Sequence, residues 1–299
     1  MIYDTIILGG GPAGLGAAVY CARFKLNSLL ITKDIGGLLN QAHMIENWLG
    51  VKHAKGIELI KQFEDHVKNL KIPIKKGEEI TGVNQKKGFF EVETEKTKYQ
   101  TKTVIFALGT IKRKLNIPGE DKYLGKGVSY CYICDAAFFK NKIVGVVGGS
   151  DAAAVAALQL AEHAKQVYII YRKAEIRAEP ILKNKVNKNK KIKIIPNTEI
   201  KEIHGNKFVE KVTFNNGKEF KLDGIFVEIG STPSVSIAKE LGIKLNKSNQ
   251  VIVDKSQKTN LPGIFAAGDV TDGIMKQAIT AAAEGSIAAM SAYRLIKEE

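Results

Sequence analysis

Cysteine is scarce in this sequence, and the scarcity limits the kinds of site that it can form. Three cysteines in 299 residues are too few for a scaffold held together by disulfides. Cys131 and Cys134 form a single C-x-x-C motif, without the second cysteine pair or the His-x-x-x-His segment that would complete a zinc site. We therefore expect no metal. Cys21 stands alone in an apolar helical pattern and is interpreted as a small core residue.

Long apolar runs are missing as well. No run approaches the roughly 18 residues that span a bilayer, so no association with a membrane is expected. The N-terminal residues include Asp4 and lead directly into a strand pattern, with no basic start and no cleavage site. These features predict no signal peptide and a cytoplasmic location.

Arginine is rare although the formal net charge is +14, because only five of the 45 basic residues are Arg. Nucleic-acid binding is one interpretation of the charge. The lysines, however, are spread over the whole chain, with one dense segment at 183–193 and few aromatic residues between them. We prefer a general bias toward lysine or the attraction of an acidic protein partner, and we expect no nucleic acid.

The hydrophobic pattern predicts an α/β protein of two domains. A strand at 2–8, a glycine-rich turn, a helix to about residue 23 and a strand at 28–32 form a β-α-β unit. A second unit opens with a strand at 143–147 and a helix at 151–164. No linker is rich in Ser or Pro, and the predicted hinges, 112–120 and 230–235, carry Gly and Pro.

The first glycine motif has the G-x-G-x-x-G spacing, with Gly9, Gly11 and Gly14 between a strand and a helix. This context is typical of dinucleotide binding, in which the first glycine permits a tight turn and the second admits a pyrophosphate. A turn of packed glycines without a ligand is the alternative. Thr32 stands where an acidic residue usually contacts the ribose, and Asp34 follows slightly beyond. Recognition of the ribose is therefore expected to differ from the usual pattern.

The second motif begins at Gly148, and Ser150 replaces its central glycine. The hydroxymethyl group then lies where a pyrophosphate would approach, which weakens the prediction of a nucleotide site. Arg172, Lys173 and Arg177 follow the next strand, and no Asp or Glu occupies the end of that strand itself. Cations at this position favour a 2′-phosphate, and therefore NADP over NAD.

The C-x-x-C motif lies between the two glycine motifs. Neighbouring thiols lower each other's pKa and can close a small disulfide ring. Asp135 follows directly and could relay a proton. Two core thiols without a role are the alternative. The order of the three motifs nevertheless predicts that electrons pass from a dinucleotide to a disulfide.

Taken together, these motifs resemble low-molecular-weight thioredoxin reductase, in class II of the FAD-dependent pyridine nucleotide-disulfide oxidoreductases. The resemblance covers essentially the whole chain and rests on GGGPAG, ENWLG (46–50), ALGT (107–110), CYICD (131–135), GGSDAA, YRKAEIR, GIFAAGDV and KQAIT (276–280). It implies a homodimer in which each chain has two Rossmann-like (three-layer ββα) nucleotide-binding domains, the second inserted into the first. The FAD-binding domain would comprise 1–112 and 236–299, and the NAD(P)-binding domain 113–235.

The resemblance also implies roles for individual residues. Cys134 would face the flavin, Cys131 would attack the partner's disulfide, and Asp135 would be the acid/base. The residues implied for FAD are Gly9, Gly11, Pro12, Ala13, Gly14, Gly37, Leu38, Asn47, Gly109, Asp269, Gln277 and Ala278. Those implied for NADPH are Gly148, Ser150, Asp151, Ala152, Arg172, Lys173 and Arg177.

The expected activity is that of a thioredoxin-disulfide reductase, with electrons passing from NADPH through FAD and the Cys131–Cys134 pair to a thioredoxin-like protein. Three residues depart from the family pattern: Ser150, Tyr171 in place of a histidine, and Ala136 in place of a glycine. The first two leave open a relative that is fed by reduced ferredoxin or a reduced deazaflavin. A redox-sensing flavoprotein without turnover is a further alternative.

Overall fold

The computed structural model describes residues 1–42 and 45–298. Its α-helices, in chain order, are α1 Pro12–Arg23, α2 Gly56–Asn69, α3 Tyr132–Asp135, α4 Asp151–His163, α5 Pro180–Lys188, α6 Ser236–Glu240 and α7 Ala278–Glu298. Short 3₁₀ helices lie at Gly37–Gln41 and Ala136–Phe139. None of the helices in the described residues is both long enough and apolar enough to cross a membrane.

The strands, in chain order, are β1 Ile2–Gly10, β2 Ser28–Ile35, β3 Ile74–Lys76, β4 Ile80–Lys86, β5 Phe89–Thr94, β6 Lys98–Phe106, β7 Thr110–Lys112, β8 Val128–Ser129, β9 Ile143–Val147, β10 Gln166–Ile170, β11 Ile192–Ile195, β12 Ile200–Gly205, β13 Val209–Phe214, β14 Glu219–Lys221, β15 Gly224–Val227, β16 Ser231–Pro233 and β17 Ile264–Ala266.

The chain forms two compact units. Unit 1 comprises Met1–Ile111 together with the segment that begins at Pro233, and unit 2 comprises Lys112–Thr232. The sequence placed the corresponding boundaries at 112/113 and 235/236, a few residues away. The chain passes from one unit to the other within the short strands β7 and β16.

Unit 1 is built on one sheet with the strand order β3-β2-β1-β6-β5-β4, and β17 pairs with the end of β6. Strands β3, β2, β1, β6 and β17 pair in parallel, whereas β4 and β5 form an antiparallel hairpin beside β6. Residues 5–10 of β1 are all buried, as expected for a parallel strand that is covered on both faces. The predicted strand at 2–8 is therefore confirmed and extends to Gly10.

Helices α1 and α7 pack closely in unit 1 because small residues line their contact. A Cβ atom on Gly16 would lie 2.4 Å from the carbonyl oxygen of Ala282, and a Cβ on Gly285 would lie 1.9 Å from that of Ala13. Only glycine fits at these two positions. The start and the end of the chain therefore share one hydrophobic core.

Unit 2 contains a parallel sheet with the strand order β11-β10-β9-β15-β8, and a separate antiparallel sheet with the order β12-β13-β14. The alanine-rich helix α4 packs against β9 and β10, and its small side chains are largely buried. Both units therefore have a strand, a glycine turn and a helix at their centre, and the predicted α/β class is confirmed.

Candidate active site

The first glycine loop joins β1 to α1, and its three glycines meet different surroundings. Gly9 has a φ of +111°, and a Cβ atom there would lie 2.2 Å from the carbonyl oxygen of Ala107. A Cβ on Gly14 would lie 1.9 Å from the carbonyl oxygen of Gly9. A Cβ atom added to Gly11 would have no described atom within 4 Å, other than atoms of its two chain neighbours. Gly9 and Gly14 thus serve close packing, and Gly11 leaves space at the helix N-terminus where a phosphate can approach.

Other residues predicted for this site meet around the same loop. A Cβ on Gly37 would lie 3.7 Å from the Cα of Gly11, and the exposed Leu38 follows it in the 3₁₀ helix. Asn47 Nδ2 donates a hydrogen bond to Gln277 Oε1 at 3.0 Å, although 230 residues separate the two along the chain. The fold thus joins the segment that contains Asn47 to the residue just before α7.

The loops after β6 and β17 supply the remaining predicted residues of unit 1. Gly109 has a φ of +62°, and its carbonyl accepts a hydrogen bond from the Ser234 N–H at 3.0 Å. Gly268 packs on α1, because a Cβ there would lie 2.9 Å from the Cβ of Ala13. Asp269 follows directly. Strands β1, β6 and β17 are parallel neighbours, so their carboxyl ends and these loops form one edge, the usual place for a ligand in such sheets.

Ionisable groups that the sequence did not single out lie beside Asp269. Glu284 Oε2 accepts a hydrogen bond from the Gly268 N–H at 2.7 Å. Burial raises the pKa values of Asp269 and Glu284, while the nearby Lys276 ammonium opposes both shifts. Burial lowers the pKa of Lys276. A lone glutamate in the alanine-rich stretch of α7 was the available signal for this cluster.

The position usually taken by a ribose-binding carboxylate is occupied by Thr32, as the sequence indicated. Its hydroxyl donates a hydrogen bond to the Asp34 carbonyl oxygen at 2.5 Å, and the residue is buried. Asp34 itself is exposed near the end of β2. The Thr32 hydroxyl is therefore hydrogen-bonded to the backbone at the end of its own strand.

The second glycine loop, in unit 2, repeats the local geometry of the first. A Cβ on Gly148, whose φ is +149°, would lie 2.1 Å from the carbonyl oxygen of Glu228. Ser150 has φ −96° and ψ −176°, close to the φ −75° and ψ −178° of Gly11. Serine therefore fits this backbone without strain.

Helix α4 begins directly after this loop. Asp151 is its first residue, and Asp151 Oδ1 accepts a hydrogen bond from the Glu179 N–H at 2.7 Å. The carboxylate is thereby tied to the segment that leads into α5. Ala152 is exposed in the first turn of α4.

The predicted cations lie just beyond the end of β10, where Arg172, Lys173 and Arg177 are all exposed. Tyr171 precedes them and is buried, with its ring against Gly149. Arg177 Nε donates a hydrogen bond to the Tyr171 hydroxyl at 3.0 Å. The sequence identified the cations but not this contact between them and the tyrosine.

Cys131 and Cys134 form a disulfide, with 5.3 Å between their Cα atoms. The Cys134 N–H points at Cys131 Sγ, 3.2 Å away, at the start of α3. The Cys131 N–H donates to Ser129 Oγ at 2.9 Å. Cys131 and Asp135 are half-buried, and Cys134 is exposed.

Tyr130, the residue before Cys131, is hydrogen-bonded through both its backbone carbonyl and its side-chain hydroxyl. Its carbonyl oxygen accepts a hydrogen bond from Lys112 Nζ at 2.6 Å, and its hydroxyl donates to the buried carboxylate of Glu120. Lys112 also pairs with Glu228, which lies next to β15. The lone glutamate in the apolar segment around β15 was the available signal for this group.

Within residues 1–42 and 45–298, no group of three or more His, Cys, Asp or Glu side chains could hold a metal ion.

Two glycine loops at the ends of parallel strands, together with a C-x-x-C disulfide, define a dinucleotide-dependent redox protein. The family model described as pyridine nucleotide-disulphide oxidoreductase matches residues 3–285, and the chain belongs to this family. The family and the fold class predicted from the sequence are thereby confirmed.

Named relatives support the same class along the full length of the chain. The thioredoxin reductase of Bacillus subtilis (strain 168) is 36% identical over 99% of this chain and 96% of its own length. The crystal structure of Lactococcus lactis thioredoxin reductase in its FR conformation is 36% identical, with a TM-score of 0.96 over 99% of this chain and 100% of that chain.

One similar solved structure has ferredoxin in its name. A ferredoxin-flavin thioredoxin reductase from Clostridium acetobutylicum is 32% identical, with a TM-score of 0.55 over 99% of both chains. A structure whose name includes ferredoxin is therefore among those similar to this chain.

Proposed function

We propose that this chain is an FAD-dependent thioredoxin-disulfide reductase that takes electrons from NADPH and acts in the cytoplasm as a homodimer. The observation that carries the proposal is the Cys131–Cys134 disulfide in unit 2, with one sulfur-bearing residue exposed, in a chain of the pyridine nucleotide-disulphide oxidoreductase family. When bound, FAD would supply the redox group that passes a pair of electrons from reduced nicotinamide to this disulfide.

Unit 1 is the proposed FAD domain. The space at Gly11 and the N-terminus of α1 suit the pyrophosphate. Gly37 borders that space, while the Asn47–Gln277 pair, Gly109, Asp269 and Ala278 surround the same edge of the sheet. Since the residues present fit an elongated, doubly negative ligand, the unit needs no rearrangement of its glycine loop to accept one.

Unit 2 is the proposed NADPH domain. Gly148, Ser150, Asp151 and Ala152 form the turn and the first helical residues that would meet its pyrophosphate. Arg172, Lys173 and Arg177 would contact the 2′-phosphate, since they are exposed at the end of β10 and no acidic residue stands at the strand end itself. The unstrained backbone at Ser150 supports NADPH, because the change from glycine adds only a small side chain at this position of the loop.

The dithiol would pass the electrons to the partner protein. Two electrons and two protons convert the Cys131–Cys134 disulfide into two thiols. The Cys131 thiolate then attacks the partner's disulfide, which forms a mixed disulfide and releases one partner thiolate. Cys134 attacks Cys131 Sγ, which restores the internal disulfide and releases the second partner thiol. Asp135, next to Cys134, is the proposed acid/base that moves the protons.

Anaerobic titration of the FAD-loaded protein with NADPH, and separately with NADH, tests the donor. We expect the flavin absorbance near 450 nm to bleach with NADPH at far lower concentration than with NADH. Turnover is then followed with a thioredoxin whose disulfide is the final acceptor, and Cys134→Ser serves as the inactive control. A bleached flavin without turnover would instead indicate the redox sensor.

The second candidate is the same reductase fed by reduced ferredoxin or a reduced deazaflavin. Ser150 in the second loop favours this alternative, because its side chain would narrow the space through which the pyrophosphate of NADPH approaches the turn. If the flavin stays oxidised in excess NADPH, and Ser150→Gly does not rescue reduction, NADPH is not the donor. Bleaching by reduced ferredoxin or by a reduced deazaflavin under the same conditions would then establish this alternative.

The proposed oligomeric state is tested by a separate measurement. Light scattering on the FAD-loaded protein should give twice the 32.7 kDa mass of one chain. A mass of one chain that persists over a wide range of concentration would contradict the proposed homodimer.

A further inference from the structure

Tyr171 occupies a particular place between the second glycine loop and the proposed phosphate-binding cations. It follows β10 directly, and its backbone is fixed on both sides: its N–H donates to the Ile195 carbonyl at 3.0 Å, and its carbonyl accepts from the Thr198 N–H at 3.0 Å. The residue is only 7% exposed. Its side chain therefore has little freedom to move.

The ring of Tyr171 covers Gly149 in the loop. A Cβ atom on Gly149 would lie 2.5 Å from two ring carbons, so glycine is needed there for the ring to fit. The Arg177 N–H in turn donates to the Gly149 carbonyl at 2.5 Å. Ring, loop and arginine backbone thus form one packed unit.

The hydroxyl of Tyr171 reaches the Arg177 side chain, where Nε donates to it at 3.0 Å. A guanidinium group has five N–H donors, and this contact uses the one on Nε. The two terminal amino groups remain on the exposed end of the side chain. They have the fork geometry that binds phosphate through two hydrogen bonds.

We propose that Tyr171 is a positioning residue that holds the Arg177 guanidinium toward the 2′-phosphate of NADPH and thereby determines the preference for the phosphorylated nucleotide. This inference rests on the proposed use of NADPH. A tethered guanidinium has already lost much of its rotational freedom, so less entropy is lost when the phosphate binds. Without the hydroxyl, Arg177 keeps its charge but loses its fixed orientation.

Tyr171→Phe tests this role, because it removes the hydroxyl and keeps the ring on Gly149. Calorimetry would measure the binding of adenosine 2′,5′-bisphosphate, which carries the 2′-phosphate, and of 5′-AMP, which lacks it. We expect Tyr171→Phe to weaken the bisphosphate about three- to tenfold, the range for one net hydrogen bond, and to change 5′-AMP by less than about twofold. Tyr168→Phe is the matched control, since Tyr168 lies on the same strand and packs edge-on against Phe220. It should leave both affinities unchanged.

A double-mutant cycle separates positioning from a general effect on the loop. In an Arg177→Ala background, Tyr171→Phe should have no further effect on the bisphosphate, because the group that it positions is gone. In steady state, Tyr171→Phe should raise KM for NADPH and leave both kcat and KM for NADH nearly unchanged.

The possible failures are distinguishable. If Tyr171→Phe weakens both adenine ligands equally, or neither, Tyr171 does not position Arg177 and the inference is wrong, while the proposed NADPH site stands. If the unmutated protein binds the bisphosphate no better than 5′-AMP, it has no 2′-phosphate site. The proposed donor and the role of Tyr171 then fail together.

Discussion

Lys112 and Glu228 form a buried ion pair, with 2.8 Å between Lys112 Nζ and Glu228 Oε1 and side chains only 19% and 5% exposed. The same ammonium donates to the carbonyl of Tyr130, the residue before Cys131. The carbonyl of Glu228 lies against Gly148 in the second glycine loop. One pair thus connects three segments of unit 2 that matter for the proposed reaction.

Removal of Lys112 should be strongly destabilising. Lys112→Met leaves the Glu228 carboxylate buried without its partner. Breaking comparable buried ion pairs costs about 3–5 kcal/mol of stability. The double variant Lys112→Met/Glu228→Gln should recover a large part of the loss. Denaturant unfolding at pH 8 measures all three proteins. Lys33→Met is the control: its pair with Glu79 is 72% and 63% exposed, and solvent screens such a pair, so its loss should change stability little.

The destabilisation by Lys112→Met should also depend on pH. Burial already raises the pKa of Glu228, and Lys112 opposes the shift, so loss of Lys112 should raise this pKa further. A raised pKa in the folded state means that folding favours the protonated carboxyl; its stabilising contribution is present at low pH and is lost as pH rises through the folded pKa. The variant should therefore be less impaired at pH 5 than at pH 8. An equal loss at both values would show that the carboxyl does not titrate in this way.

Substitutions in the first glycine loop should separate folding from the binding of FAD. Gly11→Ala meets open space and should cost the apoprotein about 1 kcal/mol or less, yet its methyl group enters the proposed pyrophosphate path. We expect a folded protein with markedly reduced affinity for FAD, measured by the quenching of flavin fluorescence. Gly9→Ala is the matched contrast, because its Cβ would lie 2.2 Å from a carbonyl oxygen at a φ of +111°. It should destabilise the apoprotein by more than about 3 kcal/mol. Unimpaired FAD binding by Gly11→Ala would contradict the proposed site.

Cys131→Ser and Cys134→Ser should each abolish reduction of a thioredoxin, because both sulfurs are needed for the disulfide cycle. Reduction of an artificial dye should survive in both variants, since this reaction needs only the flavin. The two assays on the same FAD-loaded preparations measure the difference. Disulfide reductase activity that remained in either serine variant would show that the C-x-x-C is not the relay.

Cys21 should take no part in this chemistry. It is fully buried, and burial raises its pKa to about 12, so almost no thiolate forms at neutral pH. After reduction of the native protein, iodoacetamide should label Cys131 and Cys134 and leave Cys21 unmodified, as read by peptide mass spectrometry. Cys21→Ala should keep full turnover and lose about 1 kcal/mol of stability. Lower turnover at unchanged FAD content would reveal a third participating thiol.

The features that could be predicted from the sequence are those fixed by nearby residues. Gly14 depends on a steric limit within a few positions, because a Cβ atom there would meet the Gly9 carbonyl oxygen. The buried run of β1 is visible in its apolar residues. The two cysteines of the redox pair lie only three positions apart. The loops that carry the proposed FAD residues follow from the order of the strands.

The contacts that could not be predicted depend on which side chains meet in the folded chain. Lys112 and Glu228 are 116 residues apart in the chain and meet only because of how the fold brings them together. The sequence marked Tyr171 as a departure from the family pattern but could not show that its hydroxyl faces Arg177. For Ser150, the sequence indicated crowding, whereas the backbone angles show that the loop itself is undisturbed. Such features depend on side-chain direction, which periodicity does not specify.

The shared core of α1 and α7 sets the order of events during synthesis on the ribosome. Helix α1 and strand β6 emerge early, but their partners β17 and α7 begin only at Ile264 and Ala278. At typical rates of elongation, the interval between β6 and α7 lasts roughly ten to thirty seconds. Unit 2, which is continuous in sequence, can complete its fold in this time, whereas the nascent unit 1 exposes the glycine-lined face of α1 to chaperones and proteases until the last helix leaves the ribosome.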